Sequence, residues 1–561
     1  MAEKIKGQAR GEEIFRRWKI LEQERESWRT VWMELAEFIL PYAGRFNDTD
    51  INDGKKKSSG VIYDSKGTQA LGRLAALMFT GMTPPSRPWF KMTTVNPELA
   101  EDPDVKAWLE FTEERIYDAM ARSNFYLVMH QLFLELPLFG TACMYIEEDF
   151  ESHIRCHLFP TGRYALALDG SGRVDTVGRQ MQMSVRQIAQ TWGEKVLPDT
   201  LKGVVESNPY QRFDVLHFVM PNDDLQPAVV GAQSMAFSSS YWLKGSQELL
   251  HESGYEEMPY LCPRWFVTGE DTYGRSPCLD VLADVKSLQR IRHDKMLAAA
   301  LALRPPMAVP EGLPEVDMTP GALNSVPGSG GESIKPLIEV QPNLLAAMNE
   351  IQDVRQSIID GLHNDLILMM EDHPNMTATE VMERRQEKML MLGPIVERLQ
   401  SELLGPVLDR IFGLLYRAGL VPPAPPVAQG ADTRIEYISP LAQAQKRSGT
   451  DALVAATTFA GNLAQLDPGV LDRFDLSEAV QKYAELYGVP AKVIRSDQEV
   501  AQIREAKAQA QVQQAKAAMQ MQEMGAGAEI AAKLGGIDME KDNVLKRMLG
   551  EKTPEKIEKA A

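Results

Sequence analysis

The sequence predicts a mainly helical α+β fold, and three features carry that expectation. Several stretches repeat apolar residues at three- and four-residue steps, the mark of one buried helix face. Residues 141–275 switch instead to a period of two, the mark of half-buried strands. A proline- and glycine-dense segment, residues 303–342, then separates two helical stretches.

The first helix is read from Ile14, Trp18, Leu21, Trp28, Trp32, Leu35 and Ile39, with Arg25 interrupting the stripe and Pro41 ending it. Three tryptophans on one helix point to packing rather than to a ligand. A second helix starts near Asp64 or Ser65, either of which could cap it, and stops before Pro84-Pro85. Further helices cover residues 104–122 and 125–137. In "HIRCHLFP", His153, Arg155 and His157 fall on one side of a strand, with Ile154, Cys156 and Leu158 on the other. "LDGSGRVD" reads as a hairpin turn, and "DVLHFVMP" and "YLCPRWFVTG" as further strands.

Residues 278–302 return to helix and stop at Arg304-Pro305-Pro306. The next segment, 303–342, holds 8 Pro and 5 Gly, which excludes a long helix. Residues 343–362 are helical again, so two helices of roughly 30–37 Å flank a turn-rich tip, most simply as an antiparallel pair. Thr377 and Glu380 then form a capping box ahead of a helical pattern that runs to about residue 418. That pattern holds "LGP" at 392–394 and 404–406, and each proline is expected to bend it. "VPPAPPVAQG" is a linker by composition, "RIEYISP" a strand, residues 450–490 helical, and 498–525 an Ala/Gln-rich helix that needs partners.

Composition narrows the function. The chain has 561 residues, 44% of them apolar, enough for several cores. Its longest apolar runs, "LAALMF" and "MLAAALAL", fall well short of the roughly 18 residues of a membrane span. The charged start "MAEKIKGQARGEE" has no signal-peptide character, so no membrane partner is expected. Cys143, Cys156, Cys262 and Cys278 form no CxxC, which suits a reducing cytoplasm. A net charge of −18 is not the footprint of a tight nucleic-acid binder, so any contact with DNA should be loose or confined to local basic patches.

Motifs for chemistry are weak. "NDGKKKSSG" has the wrong spacing for a P-loop. "DTDINDG" places Asp48, Asp50 and Asn52 like a calcium loop, but its glycine is one residue late and Ser59 stands at the twelfth position. In "HIRCH", strand geometry sets Cys156 opposite the two histidines, which disfavours a metal site. Asp372 and His373 lack a nucleophile or an orienting group nearby and read as a turn stiffened by Pro374. No catalytic, cofactor or metal residue is assigned. Lys286, Arg290, Arg292, His293 and Lys295 cluster on the helix before the turn-rich tip, and Lys286, Arg290 and His293 share a face. Either a solvated face paired to Asp284 or Asp294, or a band facing a polyanion, explains them.

"AEFILPYAGRF", "IYDSKGTQALGRLAALMFTGMTPPSRPWFKM", "FPTGRYALALDGSGRVDTVGRQMQMSVRQIAQTWG", "RWFVTGEDTYGRSPCLDVLADVKSLQ", "MTATEVMERRQEKMLMLGPIVERLQSELLGPVLDRIF" and "IEYISPLAQAQK" occur in this order between residues 15 and 447. Together they resemble the head-to-tail connector, or portal, family of short-tailed double-stranded-DNA phages. The resemblance implies a ring, usually of twelve copies, at one capsid vertex of the virion, assembled in the host cytoplasm. DNA would be pumped in through its axis by a separate terminase ATPase and would leave by the same channel. Its other partners would be a tail adaptor and the major capsid and scaffolding proteins, with no cofactor and no catalysis.

The implied parts begin with an N-terminal helical wing region at 1–140 and a β-rich wing region at 141–275. Stem helices follow at 276–302 and 343–363, around a clip at 303–342. A tunnel loop at 364–377 then leads into a long bent helix at 378–420. After these come a linker and strand at 421–449, a crown at 450–490, a barrel helix at 491–535 and a tail at 536–561. On this mapping Asp365, Met369, Met370, Glu371, Asp372 and His373 face the DNA at the tunnel loop. Lys286, Arg290 and His293 form a basic band in the stem, and Glu311, Glu315, Asp317, Glu332 and Lys335 serve docking at the clip. Two other classes remain open: a metal-dependent nuclease or hydrolase using Asp372, His373 and the acidic loop at 48–53, and a cytoplasmic helical scaffold.

Overall fold

The computed structural model describes residues 2–46, 62–96, 99–100, 102–223, 225–226, 231–303, 307–308, 335–336, 344–364, 392–430 and 432–439, with short pieces at 458–459, 461, 500, 502–507, 509–510 and 512–513. The chain divides into two units, Met1–Ala452 and Leu453–Ala561. The described pieces of the second unit are helical, and the rest of the expected crown, barrel and tail lies outside the described residues.

In the first unit, helix α1 (Ala2–Ile39) serves two cores. Ile14, Trp18 and Leu21 pack on Ala165, Leu216, Phe218 and Trp242, whereas Trp32, Leu35 and Ile39 enter the main core further along. Arg25 does not interrupt the stripe but continues it, at 8% exposure. Its Nη1 donates to the Tyr164 carbonyl at 3.2 Å, its guanidinium lies 5.6 Å from the Trp18 ring, and Glu22 stands 3.6 Å away. Those partners make the buried charge tolerable.

Helix α2 (Lys66–Met82) starts where expected, and the capping carboxylate is that of Asp64, whose Oδ1 accepts from the Lys66 amide at 3.0 Å. Ser65, at the cap position, makes no capping bond to the backbone, its Oγ instead accepting from Gln69 Nε2 at 3.0 Å. Strand β1 (Phe90–Thr94) follows and pairs antiparallel with the strand expected in "RIEYISP", so that Phe90 lies opposite Tyr437. Helix α3 (Pro103–Arg122) is capped by Asp102, and α4 (Phe125–Phe139) ends at Gly140, whose φ of 79° is a left-handed cap that glycine adopts without strain.

The β-rich region holds two antiparallel sheets. One has the order β3-β2-β9, from β2 (Cys143–Asp149), β3 (His153–Phe159) and β9 (Tyr260–Leu261). The other runs β4-β5-β6-β7-β8, from β4 (Tyr164–Leu168), β5 (Val174–Ser184), β6 (Arg212–Pro221), β7 (Phe237–Leu243) and β8 (Glu248–Tyr255). The expected alternation in β3 is present: Ile154 and Cys156 are buried and Arg155 is exposed. In the hairpin turn after β4, the Asp169 carboxylate accepts from the Ser171 and Arg173 amides. "YLCPRWFVTG" yields only the two residues of β9, and Pro263, which has no amide to give, follows directly after Cys262. Helices α5 (Val185–Trp192) and α6 (Asp199–Ser207) lie between strands. Their Ile188 and Leu201 pack with Val215 of β6, while the next residue, Leu216, joins the α1 core on the opposite face.

Helices α7 (Pro277–Asp280) and α8 (Leu282–Leu303), the bridge pair β10 (Met307–Ala308) and β11 (Lys335–Pro336), and α9 (Leu344–Gly361) come next. Helix α10 (Gly393–Leu399), a π turn (Gln400–Leu404), α11 (Gly405–Arg417) and β12 (Thr433–Tyr437) complete the unit. Residues 378–391, the start of the expected bent helix, lie outside the described residues. Pro394 falls in the first turn of α10, where its missing amide costs nothing. At the second "LGP" the structure has a π turn rather than a plain proline kink. The Gly405 amide reaches back to the Gln400 carbonyl, a wider turn next to the position where Pro406 has no donor.

Candidate functional site: the α8–α9 hairpin and its root

Helices α8 and α9 are antiparallel, as expected from their lengths. The end of α9 meets the beginning of α8: a Cβ on Gly361 would collide with Val281 Cγ1. Near this end Leu282, Val285 and Leu288 of α8, and Ile351 and Ile358 of α9, are buried in the main core. Towards the other end the hairpin leaves the core. Met296, Leu297 and Leu303 on α8, and Leu345 and Met348 on α9, are all exposed, Leu303 at 82% and Leu345 at 74%.

The root of the hairpin is tied to the start of α2. Gln289 acts as a surrogate backbone, its Oε1 accepting from the Tyr63 and Asp64 amides at 2.7 and 2.8 Å and its Nε2 donating to the Asp64 carbonyl at 2.8 Å. Arg355 Nη2 donates to Asp64 Oδ2 at 2.7 Å. Asn364, buried at the end of α9, donates to the Ala70 carbonyl of α2 at 2.9 Å. Both flanks of segment 365–391 are therefore held, by Asn364 on one side and by buried Leu392 on the other. The sequence gives no sign of these links because the partners are hundreds of residues apart.

The three members of the expected basic band have different surroundings. Lys286 pairs with Glu34 of α1 and lies 5.4 Å from the Phe38 ring, so its charge is engaged inside the chain. Arg290 is 85% exposed in its side chain, with Asp294 at 3.9 Å. His293 is exposed, its ring 4.9 Å from Tyr63 and its Nδ1 3.3 Å from Asp294. Asp365, Met369, Met370, Glu371, Asp372 and His373 lie outside the described residues, as do Glu311, Glu315, Asp317 and Glu332. Lys335 is placed only by its backbone, opposite Ala308. The acidic loop at 48–53 is likewise outside the described residues.

Lys66 stands in the first turn of α2 beside this root. Burial, followed by the charges of Arg73 and Arg355, pulls its pKa below the ordinary lysine value, and Asp64 opposes them. Among the described residues no group of three or more His, Cys, Asp and Glu could hold a metal ion, and no helix is long and apolar enough to cross a membrane. In the β-rich region Cys156 is buried on the core side of β3 while His157 pairs across the strands with Glu147 at 2.7 Å.

A family model described as bacteriophage head to tail connecting protein matches residues 11–494. The probable portal protein of Bordetella phage BPP-1 is 37% identical over 540 residues, covering 95% of this chain and 96% of that protein. The portal protein of Salmonella phage epsilon15 is 37% identical over 498 residues, covering 87% and 89%. A chain from the virion of a native gene transfer agent particle aligns over 69% of this chain and 90% of its own at 14% identity, with a TM-score of 0.28, too slight a likeness to bear on the fold. The match along most of the chain, and not any single motif, settles the family: this chain belongs to the bacteriophage head-to-tail connecting proteins, whose relatives above are phage portal proteins.

Proposed function

We propose that copies of this chain close into a ring at one vertex of a phage capsid, twelve by the family resemblance, and that double-stranded DNA passes through its axis. The observation that carries the ring is the outer half of the stem hairpin. There Met296, Leu297, Leu303, Leu345 and Met348 stand in water on a lone subunit. Contiguous exposed apolar surface marks an interface, and neighbouring hairpins packed round an axis would cover it. The channel is passive: a separate terminase ATPase drives the DNA, a tail adaptor docks at the tip around 303–342, and capsid and scaffolding proteins hold the rim. Assembly takes place in the host cytoplasm.

Within the channel, Asp365, Glu371 and Asp372 repel phosphate and Met369 and Met370 offer it no cation, so the duplex slides. Of the basic band, Arg290 and His293 are the exposed members that could guide it, because Lys286 is held by Glu34. Electron microscopy and mass determination of the purified full chain test the reading. Closed rings with a central hole are the expected result, and a chain that stays monomeric at high concentration would end it.

A further inference from the structure

We propose that Cys143 and Cys262 form an oxidation site, where peroxide joins the two thiols into a disulfide that staples β9 to β2. The site goes beyond the channel reading and belongs to the single subunit, whether or not rings form.

The placement follows from strand pairing. β2 and β9 run antiparallel with Met144 opposite Leu261 and Tyr145 opposite Tyr260, which sets Cys143 opposite Cys262. The Ala142 amide donates to the Pro263 carbonyl at 3.3 Å, and the Ile146 amide to the Pro259 carbonyl at 3.0 Å. The ladder alternates, so 143 with 262 is a non-hydrogen-bonded pair. Such a pair holds its Cα atoms about 4.5 Å apart with the side chains close, inside the span a disulfide needs. The sulfurs do meet: the Cys262 thiol donates to Cys143 Sγ at 3.5 Å. Both are free thiols, Cys143 fully buried and Cys262 5% exposed. Cys156 and Cys278 are just as buried, and neither makes a hydrogen bond to another thiol.

The fold has a use for a bond at this place. β9 is the two-residue edge of its sheet and sits between Pro259 and Pro263. Each proline accepts from β2 and has no amide to return, so the edge is weakly held at both ends. Directly after Pro263, Arg264 begins the bonds to Glu402 in the π turn. A bond at Cys262 would fix the strand that carries Arg264.

The chemistry balances with peroxide as the oxidant. The Cys262 thiolate attacks and breaks the O–O bond, giving a sulfenic acid and water. Cys143 sulfur then displaces the sulfenic hydroxyl: the S–S bond forms, the S–O bond breaks, and the second thiol proton leaves in water. Two thiols and one peroxide become one disulfide and two waters. Burial, then the bond to Cys143, raise the Cys262 thiol well above its ordinary pKa. The first step is therefore slow, and the pair stays reduced wherever thiol buffers prevail.

Purified full-length chain, treated with hydrogen peroxide, denatured in N-ethylmaleimide and digested without reductant, tests the site by mass spectrometry. The expected product is one pair of peptides joined at Cys143 and Cys262, with Cys156 and Cys278 alkylated. In the linked chain, amide exchange at Leu261 and Arg264 should slow roughly tenfold, and a thiol reductant should reverse this. Cys143→Ala should show neither the link nor the slowing. No link in the folded chain, a link that forms only in urea, or one that joins two copies overturns the proposal. So does a link that leaves exchange unchanged, since the bond would then staple nothing.

Discussion

Arg264 clamps Glu402 across 138 residues of sequence and holds the π turn in place. The Arg264 amide and Nε donate to Glu402 Oε2 at 3.0 and 3.2 Å, and Nη2 donates to Oε1 at 2.8 Å. Nη2 also reaches the Gly172 carbonyl at 2.7 Å, in the hairpin turn after β4. Arg398 joins from one turn earlier, 3.1 Å from Oε1. The π turn opens the Gln400 carbonyl to a second donor, and the Tyr437 hydroxyl of β12 takes it at 3.3 Å. One wide turn thus ties the helix after segment 365–391 to both the β-rich region and the β1–β12 pair.

Glu402→Gln should destabilise the first unit by about 3 kcal/mol, because it leaves Arg264, only 3% exposed, without a full counter-charge. Urea unfolding measures this. The double variant Arg264→Met with Glu402→Leu should recover most of the loss, since it removes both buried charges together. A single variant within about 0.5 kcal/mol of the parent would show that the clamp contributes nothing net.

His217 predicts an acid limb. It is fully buried in β6, with Nδ1 2.6 Å from the Tyr260 hydroxyl, Nε2 2.9 Å from Ser239 Oγ, and its ring stacked 3.9 Å from that of Tyr241. Burial, then the charges of Arg179 and His251, hold its pKa well below the ordinary 6.5. Tyr145 and Tyr260 also face its ring, from β2 and β9, and Tyr255 of β8 bonds Tyr145. The unfolded chain therefore takes up a proton that the folded chain refuses. The stability this histidine allows is complete above 6.5 and is lost as pH falls from there towards the folded pKa. His217→Gln should start less stable at neutral pH and lose less on acidification, as read by melting temperature across the range. An acid limb as steep as that of the parent would remove His217 as its source.

Glu113 acts in the opposite direction. Burial raises its pKa to about 7, against the Met92 amide bond and Lys91, which lower it, and with Glu110 and Glu114, which add to the rise. The Met92 amide donates to its Oε1 at 2.6 Å, at the edge where β1 meets α3. Because the folded pKa lies above the unfolded 4.5, the stability it contributes is full below 4.5 and is lost as pH rises through about 7. Glu113→Gln keeps an acceptor for the Met92 amide and should flatten the alkaline side of the melting curve. An unchanged alkaline slope would place the charge elsewhere.

Leu303→Glu combined with Leu345→Glu should break assembly without unfolding the subunit. Both side chains are exposed on a lone subunit, so the fold should change by less than about 0.5 kcal/mol. Charges facing each other across an interface should cut the ring population roughly tenfold or more, as seen by sedimentation. Undiminished rings would move the subunit interface away from the outer stem.

Glu371→Lys with Asp372→Lys should slow or stall DNA packaging, because each lysine offers a passing phosphate an attractive stop. Packaging rates measured in reconstituted particles decide it. An unchanged rate would mean that the loop charges do not meet the duplex.

Much of the fold could be read locally. The helices α1 to α4 and the pair α8 and α9, the strands β3 and β6, and the turn at Asp169 follow from periodicity and turn chemistry within about 20 residues, which are short-range properties of the chain. The ordered motifs also pointed to the family that the full-length matches then showed. Arg25 was misread because a charged side chain on an apolar face looks like a break until its partners, Tyr164 and Trp18, are brought in from elsewhere.

What the sequence determined by itself is the type of its strongly periodic segments and marked turns, since each depends on residues a few positions apart; the short helices α5 and α6 and the two-residue length of β9 were not among them. Only the tertiary structure decided which of them meet. It joined β1 to β12, closed Arg264 on Glu402, turned Lys286 away to Glu34, and clamped Gln289 of α8 onto Asp64. The reason is physical. Periodicity records which face of an element is buried, whereas the choice of partner depends on shape and charge complementarity between surfaces that the chain brings together only on folding.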